Sequence, residues 1–73
     1  MPHINIKHFP SLTEEQHIAL AKSITEAVTN VVGCDESVIS IAVEPIEPEL
    51  WNEKVYIPEI IGRKDILIKT PDY

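Results

Sequence analysis

Apolar and polar residues alternate from Pro2 to Phe9, with Ile4 and Ile6 on one side and His3, Asn5 and Lys7 on the other. A period of two predicts a strand with one face buried. Pro10-Ser11-Leu12 breaks the pattern, and Thr13-Glu14-Glu15-Gln16 comes next with the spacing of a capping box. There a threonine hydroxyl and a glutamine amide three residues on each satisfy a free amide at the start of a helix. Leu20, Ile24, Ala27, Val28 and Val31 then recur at spacings of three and four, which gives the helix one apolar stripe. Gly33 stands where a left-handed residue ends it. Alternation returns from Ser37 to Glu44, with Ile39, Ile41 and Val43 on one face and Val38, Ser40 and Ala42 on the other. About twenty helical residues between two strands is the length of a crossover, which makes the strands parallel. The expectation is an α+β chain built on one β-α-β unit.

Prolines punctuate the C-terminal third of the chain. Pro45-Ile46-Glu47-Pro48 ends the second strand, and Pro48-Glu49-Leu50-Trp51 suits one helical turn with proline near its start. Val55-Tyr56-Ile57 reads as a short strand that Pro58 confines to an edge. Asp65 to Lys69 reads as a last short helix stopped by Thr70-Pro71. The sheet face carrying Asn5, Ser40 and Ala42 is too mixed for a core and too small-featured for plain solvent surface. A second subunit or a ligand is expected against it.

Size sharpens that expectation. With 73 residues the chain has room for one domain, spanning 1–73, and so short a chain buries only about 60% of the surface it exposes when unfolded. Cys34 is the only cysteine, so no internal disulfide can staple the fold. Association with further copies is the remaining source of stability. Twelve acidic residues stand against six basic ones, for a net charge of −6, and Arg63-Lys64 is the largest basic cluster. Binding to nucleic acid through its phosphates is therefore not expected. No segment approaches the ~20 apolar residues that span a bilayer. The start of the chain lacks the basic and apolar regions of a secretory signal, so the expected compartment is the cytoplasm.

The chemically unusual residue is Pro2. Proline directly after the initiator is compatible with methionine removal, which leaves a secondary amine at the terminus. An ordinary α-amino group has a pKa of about 7.7–8.0, so a modest shift by burial or a nearby cation leaves it neutral and competent as a general base. With Met1 retained, the same nitrogen is an unreactive amide. Other candidates carry less. His3 and His8 lie five apart on a strand and point to opposite faces, and His17 is on the helix, so no metal site is expected. Alternation also sends the His3 side chain away from Pro2. Tyr56 and Tyr73 could offer a phenol as an acid but suit packing as well. Cys34 has no base near it in sequence and reads as structural.

From Pro2 to Tyr73 the chain resembles the 4-oxalocrotonate tautomerase family, in particular its short bacterial branch that acts on phenylpyruvate-type enols. The residues carrying the resemblance are Pro2-His3-Ile4-Asn5-Ile6-Lys7, the Thr13 to Gln16 helix start, Ser37 to Val43, Pro48-Glu49-Leu50-Trp51 and Pro71-Asp72-Tyr73. It implies a β-α-β protomer that pairs with a second copy into a four-stranded sheet, a homodimer in preference to a hexamer. Pro2 would be the catalytic base in a pocket shared between subunits, with no metal and no organic cofactor. Well-known members hold substrate carboxylates with one arginine before the helix and another in the second strand; this chain has Leu12 and Ser40 there. The resemblance thus implies a small 2-keto acid or aryl enol in place of a dicarboxylate. Ser40 would offer a hydroxyl, Trp51 a wall of the pocket or of a dimer seam, and Arg63, the one arginine, a carboxylate partner or a solvated charge. Hydration or dehalogenation by the same amine, and a non-catalytic oligomeric binding module, are the alternatives.

Overall fold

A computed structural model describes residues 1–73. Strand β1 runs His3–His8, helix α1 Glu14–Val32 and strand β2 Ser40–Pro45. The strands are parallel, with His3 opposite Ser40, Ile4 opposite Ile41 and Ile6 opposite Val43. This is the expected β-α-β unit. The capping box is present: the Thr13 hydroxyl accepts from the Gln16 amide at 3.1 Å, and the Gln16 side chain accepts from the Thr13 amide at 2.8 Å. At the other end Gly33 takes φ 83°, and its N–H donates to the Thr29 carbonyl, closing the last turn.

The apolar stripe of α1 is less buried than the spacing suggests. Leu20, Ile24 and Val28 are half-buried, joined by Thr25 and Thr29, while Ala27 is exposed and Val31 is 87% exposed. Direction does not set Val31 apart, since at about 100° per residue it points between Leu20 and Ile24; what differs is that Val31 lies in the last turn of the helix, where Val32 is exposed too.

The second strand is also shorter than the expected Ser37–Glu44. Asp35 accepts from the Ser37 amide at 3.0 Å and bonds the Ser37 hydroxyl as well. Those bonds draw Glu36–Val38 into a 3-10 turn, and pairing begins only at Ser40.

The larger correction lies beyond β2. After a 3-10 turn at Pro48–Leu50, residues Asn52–Ile61 form a π-helix, so Val55-Tyr56-Ile57 is not an edge strand. Val55 is buried and Tyr56 half-buried while Ile57 is exposed. A strand would have placed Val55 and Ile57 on the same face. The inward residues are instead Trp51, Val55, Tyr56, Glu59 and Ile60, a helical spacing of four to five. Gly62 ends the helix, its N–H donating to the Ile57 carbonyl at 2.9 Å. The last expected helix shrinks to one 3-10 turn, Lys64–Ile66, and Ile68 is fully exposed.

Only Ile46 and Val55 are buried in the single chain, and its radius of gyration is 13.7 Å. A compact chain of this length measures about 11 Å. No helix is long and apolar enough to cross a membrane.

Candidate functional site

The parallel register brings Pro2 and Ser40 together. The Ser40 N–H donates to the Pro2 carbonyl at 3.2 Å, one step ahead of the His3–Ser40 pair. Pro2 is half-buried and Ser40 exposed. The Ser40 hydroxyl is bonded to the His3 ring, Oγ to Nδ1 at 2.6 Å. His3 does point away from the buried side, as alternation requires, and it meets Ser40 there.

The same sheet face continues as a polar ladder. Asn5 donates to Glu44 at 3.4 Å, and Lys7 forms an ion pair with Glu59 of the π-helix. The hydrogen bond to Glu59 holds the Lys7 ammonium above its ordinary pKa; desolvation opposes this, and the charges of Glu59 and Glu44 add to it. The ion pair pins the C-terminal helix to β1.

Trp51 sits elsewhere. Its ring meets Phe9 edge to face, centroids 5.3 Å apart, and its indole N–H donates to the Tyr73 hydroxyl at 3.2 Å. Tyr73 also meets Tyr56, the two rings tilted by 40° with centroids 5.6 Å apart. Phe9, Trp51 and Tyr73 line an open apolar cleft of about 560 Å³. Beside them the His8 Nδ1–H donates to the Phe9 carbonyl at 2.6 Å, and His8 Nε2 is buried without a partner.

Phe9 directly succeeds the last residue of β1, whereas Pro2 precedes the first. Seven residues of strand span about 23 Å at ~3.3 Å each, so Pro2 and the aromatic cleft lie at opposite ends of one protomer. None of the three cavities of the single chain is lined by Pro2. Leu12 lines a separate cleft of about 300 Å³ with Gln16, Ala19, Leu20 and Ser23. Arg63 is exposed at the bend after the π-helix and makes no ion pair. Of the site residues expected from sequence, Pro2 and Ser40 adjoin; Trp51 lies apart from them and Arg63 joins neither group by any bond. Phe9 and Tyr73 were missed as companions of Trp51. Phe9 carried one signal, its place at the far end of the first strand.

A parallel β-α-β unit led by a proline points to one class of protein, the small tautomerases. The comparison with known sequences agrees: this chain belongs to the tautomerase family, whose model, described as Tautomerase enzyme, matches residues 2–52. It is similar along its whole length to proteins named Tautomerase PptA. Those of Klebsiella pneumoniae subsp. pneumoniae and Escherichia coli O139:H28 are each 43% identical over 74 residues, covering 100% of this chain and 97% of the relative. That of Pectobacterium carotovorum is 36% identical over the same coverage. The chain is accordingly an isomerase with tautomerase activity, and these matches favour that reading over a non-catalytic binding module.

Proposed function

We propose that Pro2, freed as a secondary amine by removal of Met1, is the general base of a keto–enol 1,3-proton transfer on a small 2-keto acid or aryl enol such as phenylpyruvate. The neutral amine takes the proton of the 2-hydroxyl as the C2–O bond becomes a carbonyl. The electron pair of C2=C3 then takes a proton at C3 from the ammonium so formed, and the amine returns neutral. No electrons leave the substrate and no cofactor is needed. The pyrrolidine ring fixes the direction of the lone pair, and pairing of β1 with β2 directly behind Pro2 holds the ring in place.

The observation that carries the proposal is the separation of the two halves of the site. Pro2 and Ser40 stand at one end of the sheet, and an exposed aromatic cleft stands about 23 Å away at the other. A two-fold axis normal to the sheet reverses strand direction, so the Pro2 end of one protomer lies beside the Phe9 end of the next. Pairing of this kind gives each Pro2 an apolar wall from the partner. It also covers surface that a lone chain leaves bare, such as Phe9 at 53% exposure. A dimer with a four-stranded sheet is the assembly proposed, with the cytoplasm as its compartment.

The lining favours a monocarboxylate or aryl group over a dicarboxylate. Leu12 and Ser40 bring no cation, and Arg63 is the one guanidinium free to meet a carboxylate. The test is mass spectrometry of natively processed protein together with an ultraviolet assay of phenylpyruvate enol ketonisation. Loss of Met1 is expected, and Pro2→Ala should lower kcat/KM by about 100-fold or more, the usual worth of a general base. Equal rates for the two proteins would sink the mechanism.

A further inference from the structure

The bond between His3 and Ser40 ties the two strands together by their side chains at the Pro2 end of the sheet, and proton transfer by Pro2 alone makes no use of it. At 2.6 Å it joins the first residue of β1 to the first residue of β2, immediately after Pro2. The Ser40 amide is bonded to the carbonyl of Pro2 itself. Chain geometry therefore keeps Ser40 Oγ within roughly 10 Å of the Pro2 nitrogen; because Ser40 shares the His3 face, away from the Pro2 ring, a small keto acid reaches both around the end of the sheet.

A serine hydroxyl has one proton to give and two lone pairs, and a neutral imidazole has one donor nitrogen and one acceptor. The His3–Ser40 bond thus has two forms with opposite consequences. If Nδ1 accepts, the Ser40 proton is spent on His3 and the hydroxyl offers substrate only lone pairs. If Nδ1–H donates, the lone pair is occupied and the Ser40 proton is free for a substrate oxygen. Negative charge develops on that oxygen during the 1,3-shift, and no arginine of the second strand is present to meet it.

We propose that His3 is a positioning residue for the tautomerase site, holding Ser40 Oγ through Nδ1–H so that the serine proton is directed to the substrate oxygen. The inference rests on Pro2 being the base. It assigns to the exposed sheet face beside Pro2 a neutral hydrogen-bond donor, which suits the carbonyl or enolate oxygen of a 2-keto acid.

The experiment is a kinetic double-mutant cycle on the Met1-processed protein with phenylpyruvate enol, with Pro2→Ala measured alongside. His3→Ala and Ser40→Ala should each lower kcat/KM about tenfold, the worth of one well-placed hydrogen bond, and the double variant should fall no further than either alone. His3→Asn, whose amide can stand where Nδ1 stood, should recover activity to within about threefold of wild type. Nitrogen-15 NMR at about pH 8, where an ordinary imidazole is neutral, should find His3 protonated on Nδ1. A merely structural cross-strand pair would lower the melting temperature and leave kcat/KM alone. That result, independent losses that multiply, or an Nε2–H tautomer would each overturn the proposal. An active wild type with inactive Pro2→Ala and unchanged His3→Ala would remove this inference alone. An inactive wild type would remove the Pro2 mechanism and this inference with it.

Discussion

Asp35 accepts hydrogen bonds from both the amide and the hydroxyl of Ser37, and these hold its carboxyl below the ordinary carboxylate range, the hydroxyl contributing most. A carboxyl with a lowered folded-state pKa contributes stability above its unfolded pKa and loses it as pH falls through the folded value. Urea denaturation should therefore show Ser37→Ala less stable than wild type near neutrality, with the difference shrinking as pH falls below about 4 and gone only below the lowered folded-state value, where Asp35 is protonated in both states. A difference that persisted there would place the effect outside the Asp35 carboxylate. The same side chain explains why β2 starts late: Asp-x-Ser after a helix stop is a turn signal, and local hydrogen bonds outrank the alternation of Val38, Ile39 and Ser40. At Pro2 the residue type was legible in the sequence. Its neighbour His3 was legible only as an outward-facing side chain, because its bond to Ser40 depends on register across 37 residues of chain.

Helix α1 was readable from its ends and its stripe because each signal is local. Thr13→Ala removes one half of the capping box and should cost about 1 kcal/mol, a fall in melting temperature of about 4–8 °C for a chain this small. Thr13→Ser should keep most of that stability. The π-helix was not readable, because Val55-Tyr56-Ile57 has strand propensity, and the packing that overrides it is tertiary: Lys7 of β1 pairs with Glu59, and Tyr56 meets Tyr73. Its end depends on Gly62 through close approach. A Cβ there would lie 2.8 Å from the Pro58 carbonyl oxygen and 3.0 Å from that of Ile57. Gly62→Ala should destabilise by roughly 1–3 kcal/mol, the usual cost of overpacking, seen as a lower urea midpoint. An unchanged midpoint would mean the helix end can open without cost.

For the molecule as a whole, the incompleteness of one chain and the incompleteness of the site have the same cause. Two buried residues do not make a core, and exposed Phe9, Ile18, Val31 and Tyr73 leave apolar surface bare. Shortness and the single cysteine already pointed to association from sequence. What sequence alone did not place was Trp51, whose partners Phe9 and Tyr73 come from the two ends of the chain. If the partner supplies that cleft to Pro2, two defective chains can repair one another. Pro2→Ala and Trp51→Ala proteins, each impaired alone, should be mixed, unfolded and refolded together, and assayed for enol ketonisation. Random pairing makes half the dimers mixed, each with one intact site, so recovery of about a quarter of wild-type activity is predicted. Activity no greater than the sum of the separate variants would contradict a Pro2 site completed across the interface.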